Sequence, residues 1–106
     1  MNPPDTSAGT AIGTVIMENE RTRVTEWHFS AKGDNTGWHE HEHDYLVVPL
    51  SDGQLLLHEP GGTTRLAQLR CGVPYFRKKG VHHDVVNASD FEITFIEVEF
   101  LGGAER

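Results

Sequence analysis

Leu46-Val47-Val48-Pro49-Leu50-Ser51-Asp52-Gly53-Gln54-Leu55-Leu56-Leu57-His58-Glu59 is the stretch whose reading settles the fold class. Each apolar run is too short for a helix and is bounded by turn formers, the signature of a strand. Asp52-Gly53 supplies the positive φ that tight hairpins demand. The spacing therefore predicts a hairpin turn at Ser51-Asp52-Gly53, joining a long strand over 38–50 to another over 54–59. Leu46-Val47-Val48 is apolar on both faces, so both sides are expected to be covered.

The same pattern continues outward. Downstream, Pro60-Gly61-Gly62 turns the chain into a strand over 64–69, and Arg70-Cys71-Gly72 leads to a short strand at Tyr75-Phe76-Arg77. After Lys79-Gly80 comes a strand over 81–86, a turn over 87–90 and a last strand over 91–100. Its apolar phase shifts between Phe95 and Ile96, which predicts a bulge or burial on both faces. Upstream, 14–17 and 22–30 read as strands, the second with Thr25, Trp27 and Phe29 on one face and Val24, Glu26 and His28 on the other. Lys32 to Thr36 is a loop. No 3.6-residue stripe is evident. About eight short strands with regular turns predict an all-β sandwich or barrel.

A chain of 106 residues is one domain. At that length it buries about 65% of its unfolded surface without needing a disulfide. The single cysteine, Cys71, has no intrachain partner. It reads as a structural or inert thiol, and a reducing cytoplasm is the expected location. Acidic residues outnumber basic ones by sixteen to nine, for a net charge of −7. That balance repels phosphate backbones, so no nucleic-acid partner is expected. No apolar run approaches the ~20 residues of a membrane span. Residues 1–11 lack a basic start followed by an apolar segment, so they read as a flexible arm rather than a signal peptide.

The chemistry lies in His39-Glu40-His41-Glu42-His43-Asp44-Tyr45 and a distant second cluster, Val81-His82-His83-Asp84. On a strand, residues i and i+2 share a face, so His39 and His41 can aim two imidazoles at one point. A third from the later cluster would complete a half-enclosed metal site, imidazole being the commonest metal ligand. His43 and Tyr45 fall on the same face by parity, whereas Glu40, Glu42 and Asp44 face away. His28 and His58 stand alone and read as packing or surface residues.

These residues resemble the cupins, small jelly-roll barrels recognised by two motifs. The first opens with glycine, five residues and His-x-His, satisfied by Gly33, His39 and His41, and closes at Gly53. The second is glycine, five residues, Pro-x-Gly, two residues, His, three residues, Asn. Gly72, Gly80, His83 and Asn87 meet every spacing, with Lys78 in place of the proline. The resemblance implies metal ligation by His39, His41 and His83. His43 is out of register, and His82 points away from His83. The motif's glutamate ligand is missing, and its place falls on Tyr45, or on Leu46 with the longer spacing. What remains is three neutral imidazoles, a set suited to one divalent transition metal, Fe, Zn, Ni, Cu or Mn. Losing the carboxylate raises the charge at the metal, which favours an anionic substrate or bound hydroxide.

More closely, Thr36-Gly-Trp-His-Glu-His41, Asp44 to Leu50, Gly72 to Arg77 and His83 to Asn87 are similar to a group of small single-domain cupins often labelled as β-alanine degradation proteins. By that resemblance residues 12–101 form the barrel and 102–106 a C-terminal tail. The implied function is a small metal-dependent enzyme, dioxygenase-type before other classes, acting on a small polar or carboxylate metabolite. The alternative is a metal- or metabolite-binding module without turnover. Tyr45 is the candidate catalytic residue. His43, Trp38 and Lys78 are candidate substrate contacts, with Lys79 beside Lys78. Glu97 or Glu99, if turned inward, would accept an imidazole N–H. The resemblance implies a homodimer paired through edge strands, which would also bury exposed sheet edges.

Overall fold

Period-two alternation of β-branched, leucine and aromatic residues dictates strands throughout the chain. The computed structural model describes residues 9–102, and in it the strands are β1 (Ile12–Glu18), β2 (Thr22–Phe29), β3 (His39–Glu40), β4 (Tyr45–Pro49), β5 (Gly53–His58), β6 (Thr64–Leu69), β7 (Tyr75–Arg77), β8 (His82–Asn87) and β9 (Ile93–Phe100). Five form one sheet in the order β1-β2-β9-β4-β7, and four form a second in the order β3-β8-β5-β6. Every strand pairing is antiparallel. The sheets face each other across a core of Phe29, Tyr45, Val47, Leu55, Leu57, Leu69, Val85, Ile93 and Phe95. This is an all-β barrel, as the turn spacing implied, and its jelly-roll form, a double-stranded β-helix, is the one that the family resemblance implied. Among the described residues no helix is long and apolar enough to cross a membrane.

The turn at Ser51-Asp52-Gly53 is not a hairpin. β4 pairs with β7 and β9, whereas β5 pairs with β6 and β8, so the chain passes from one sheet to the other between Pro49 and Gly53. Gly53 is not among the positive-φ glycines. It is needed for close approach: a Cβ there would overlap Ile93 Cδ1 and sit 2.9 Å from Ser89 Oγ. The glycine signal was real, but its cause is packing rather than turn geometry.

The long strand expected over 38–50 is also divided. β3 belongs to the second sheet and β4 to the first, and residues 41–44 carry the chain between them. That link is tied to the loop before β8: His41 N donates to Val81 O and Gly80 N to His41 O, both at 2.8 Å, and Lys79 N donates to Asp44 Oδ1 at 2.9 Å. Gly80 adopts a φ of 98°, left-handed backbone that a side chain would strain.

In β9 the register with β2 and β4 is unbroken, so there is no bulge. Ile93, Phe95 and Glu97 are buried inward, and Thr94, Ile96 and Val98 are half-buried on the outer face. The apolar phase shift therefore reflects burial on both faces. Val24, Val98, Leu46 and Phe76 stand side by side across that outer face.

The N-terminal arm expected over 1–11 is tied down at its end: Ala11 N donates to Asn35 O at 2.8 Å and Asn35 N to Thr10 Oγ1 at 3.0 Å. Residues 1–8 of that arm and 103–106 of the expected tail lie outside the described residues. The motif asparagine, Asn87, is buried and structural. Its Nδ2 donates to Phe91 O at 2.8 Å and its Oδ1 accepts from Ser89 N at 2.8 Å, closing the turn into β9.

Candidate metal centre

His39 and His83 are directly opposite one another across β3 and β8. His41, just past the end of β3, is held at the same level by its two backbone bonds to Gly80 and Val81. The three rings therefore converge inside the barrel. His41 Nε2 lies 3.1 Å from His39 Nε2 and 3.2 Å from His83 Nε2. His41 and His83 are buried and His39 is half-buried. His82 turns outward, its ring edge-on to Trp38 at 5.3 Å.

At His39 and His41 the outward nitrogen explains why the lone pair faces inward. His39 Nδ1 donates to Gly37 O at 2.8 Å, a carbonyl that can only accept. That bond leaves His39 Nε2 as the acceptor. His41 Nδ1 faces Glu97 Oε2 at 3.4 Å, and Glu97 Oε1 accepts from Trp27 Nε1 at 2.9 Å. A carboxylate behind an imidazole N–H is the usual support for a ligating histidine.

Burial pushes all three imidazoles towards the neutral form. His41 is lowered to about 4 and His83 to about 3, chiefly by desolvation and then by the neighbouring histidines, and His39 is lowered for the same first reason. At neutral pH the triad is thus uncharged, the state that binds metal. Burial and the charge of Glu99 push the Glu97 carboxyl up to about 7, against the pull of the Trp27 N–H.

This donor set fits a transition metal. Two nitrogens bound at about 2.0–2.1 Å, at angles between square and tetrahedral, sit about 2.9–3.4 Å apart. The observed separations of 3.1 and 3.2 Å fall within that range. His41, Glu97 and Glu99 also bring ligand atoms within 4.8 Å of one another. There His41 presents Nδ1, and the two carboxylates are engaged by Trp27 and Arg23. The histidine triad is the stronger candidate.

Tyr45, in the place of the missing glutamate, is buried and stacked on the His41 ring, with centroids 3.8 Å apart and planes at 16°. Burial pushes its phenol upward, so it stays protonated. The hydroxyl makes no hydrogen bond among the described residues.

Two cavities meet at the triad. The inner one, of about 30 Å³, is lined by the histidines, Tyr45, Tyr75, Arg77 and Glu97 among apolar core residues. The outer one, of about 340 Å³, is lined by Arg23, Trp38, His39, Glu40, His41, Glu97 and Glu99. The structure thus brings His39, His41, His83, Tyr45 and Trp38 together. It does not bring His43 or Lys78: neither lines these cavities, and Lys78 is exposed. His43 falls in a bend after β3 has ended, so strand parity no longer governs it. Lys78 lies one residue beyond β7, and Arg77 takes the inward position. Arg77 and Thr36 were missed in the sequence, although Tyr75-Phe76-Arg77 read as a strand places Arg77 on the face of Tyr75.

No family model matches the sequence. Among curated proteins, the chain is 54% identical over 89 residues to the β-alanine degradation protein BauB of Pseudomonas aeruginosa, covering 84% of this chain and 92% of that protein. Among solved structures, a cupin domain from Bordetella pertussis is 51% identical, with a TM-score of 0.80, covering 85% of this chain and 92% of that one. An uncharacterised double-stranded β-helix protein from Klebsiella pneumoniae is 26% identical, with a TM-score of 0.71 over 92% of this chain and 83% of that one. The chain belongs to the family of small single-domain cupins that includes BauB.

Proposed function

We propose that this protein is a metal-dependent cupin enzyme acting on a small polar, carboxylate-bearing metabolite. One divalent transition metal, Fe, Zn, Ni, Cu or Mn, is held by His39, His41 and His83. The observation that carries the reading is the convergence of three neutral imidazoles with their Nε2 atoms 3.1 and 3.2 Å apart. The metal would supply Lewis acidity or an O₂-activating centre. Three-histidine cupins include dioxygenases, which makes oxygenation the first reaction class to test. The name of the Pseudomonas aeruginosa relative associates that protein with β-alanine degradation, which makes β-alanine and similar small acids the first compounds to test here.

The protein's own residues have distinct tasks in this reading. Gly37 O and Glu97 orient the imidazoles, the Tyr45 ring keeps His41 from rotating, and the Tyr45 hydroxyl is free to donate to a bound ligand. Trp38 shapes the wider mouth. Protein reconstituted separately with Fe, Cu, Ni and Mn should consume oxygen with at least one small acid or β-amino acid. Tyr45→Phe should slow turnover while leaving metal content unchanged. No consumption with any metal across a broad panel overturns the enzymatic reading.

One observation favours a second reading, a binding module without turnover. The inner cavity admits only an end group, not a whole metabolite. Recovery of every bound ligand chemically unchanged would select it. In either case a cytoplasmic homodimer is proposed, paired along β1. Ile12, Val15, Ile16 and Met17 are exposed on that edge strand, and an uncovered apolar edge promotes aggregation. A monomeric mass by light scattering overturns the dimer.

A further inference from the structure

Arg77 is a cation without a counter-ion in an acidic protein. Arg23 has Glu99 at 3.1 Å and Arg65 has Glu59 at 2.8 Å. Arg77 has no carboxylate within 4.0 Å among the described residues, and its one hydrogen bond is a long one, 3.4 Å from Nη1 to Phe76 O. It is half-buried all the same, and it lines the inner cavity with the histidine triad. Partial desolvation of an unpaired guanidinium is unfavourable unless something else repays it.

Three features place the guanidinium for use. Arg77 stands opposite Tyr45 in the β4–β7 register, so it shares the inward face. Its guanidinium carbon lies 4.8 Å over the Tyr75 ring, a cation–π contact that orients the plane without consuming its N–H donors. It also borders a second space, a groove of about 360 Å³ lined by Glu59, Thr63, Arg65, Gly80 and His82. Arg77 therefore stands between that groove and the triad.

We propose that Arg77 receives the anionic end of the ligand bound at the triad, and that the inner cavity is a carboxylate-sized subsite. This rests on the reading of the triad as a metal site. Planar guanidinium groups match carboxylates through two parallel N–H bonds. The inner cavity of about 30 Å³ accommodates a group of that size, since one water occupies about 10–15 Å³ on the same scale. Glu97 borders both cavities, but the outer one adds Glu40 and Glu99 against Arg23, so the outer mouth is the more acidic side and Arg77 is the cation of the inner one. The site is thus polarised, and it selects a short molecule with a carboxylate at one end and a neutral or cationic polar group at the other. Lys78 is exposed and lies off both cavities.

Acetate, with acetamide as its neutral isostere, tests this. The Arg77 Nε–H resonance is followed by NMR in ¹⁵N-labelled protein, with and without Zn(II). Acetate should shift it and acetamide should not. Arg77→Gln should weaken acetate binding by at least about tenfold, Arg77→Lys by less, and neither should weaken Zn(II) binding. Acetate binding equal in wild type and Arg77→Gln, with Zn(II) still bound, overturns the subsite and leaves the metal reading intact. Failure to bind Zn(II), with acetate still shifting Arg77, overturns the metal reading and supports the subsite. An unmoved Arg77 resonance in both states overturns the subsite.

Discussion

Glu97 lies behind His41, on the opposite side of its ring from the other two histidines: Oε2 is 3.4 Å from Nδ1, while Nε2 points at His39 and His83. The carboxylate that the first motif lacks as a ligand thus reappears one strand away as the support of a ligand. A Glu97→Gln side chain is neutral at every pH and has only one carbonyl oxygen to divide between His41 and the Trp27 N–H. Metal affinity should fall by about 10- to 100-fold, measured by competition with a chelating dye. Unchanged affinity in this variant would remove Glu97 from the site.

Metal binding should stabilise the fold by mass action. At a free metal concentration a hundred times Kd, the gain is about 2.7 kcal/mol, read as a rise in Tm. His41→Ala and His83→Ala should abolish the rise. His58→Ala, on β5 and outside both cavities, should retain it. A rise that survives His83→Ala would place the ion elsewhere.

The metal-free protein should weaken in mild acid. His41 and His83 are held at about 4 and 3 in the fold, against 6.5 when unfolded. The unfolded chain therefore binds more protons as pH falls below 6.5, and stability declines until the folded values are passed. Glu97, raised from 4.5 to about 7, acts oppositely, favouring the fold as pH falls through 7 towards 4.5. Two deeply shifted histidines, with His39 shifted the same way, outweigh one carboxyl. Urea midpoints between pH 7 and 4 should therefore drop more for wild type than for a His41→Gln/His83→Gln variant. Parallel slopes would refute the assignment.

Gly53→Ala should cost about 1–3 kcal/mol through overpacking, because the new methyl meets Ile93 Cδ1 and Ser89 Oγ. Pairing it with Ile93→Val should recover part of the loss. A neutral Gly53→Ala would mean that β5 and β9 can separate locally at no cost.

Most of the fold could be read from local alternation, because strand period and turn formers are short-range signals. Sheet membership could not. Asp52-Gly53 is indistinguishable in sequence from a hairpin turn, yet the chain there crosses between sheets. That choice depends on which distant strands flank β4 and β5. The triad was legible because His39, His41 and His83 sit at motif spacings. Parity carried too far at His43, because β3 ends after Glu40. Arg77 was hidden for a different reason: the strand Tyr75-Phe76-Arg77 has the bounds expected, but nothing local says that the face shared by Tyr75 and Arg77 is the one turned inward, which follows from its pairing with β4. Glu97 was legible only as a conditional, since its inward turn follows from unbroken pairing with β2 and β4.

β3 is two residues long, and β8 is its strand partner. Its imidazole and that of His83 sit on either side of this short seam. An ion gripped there would rivet the edge of the second sheet to its interior, and its departure would let the seam breathe without melting the barrel. Amide exchange at His39 to Glu42 should then report occupancy, fast when the ion is stripped and slow when it returns. Exchange in β2 and β9 should stay indifferent to both.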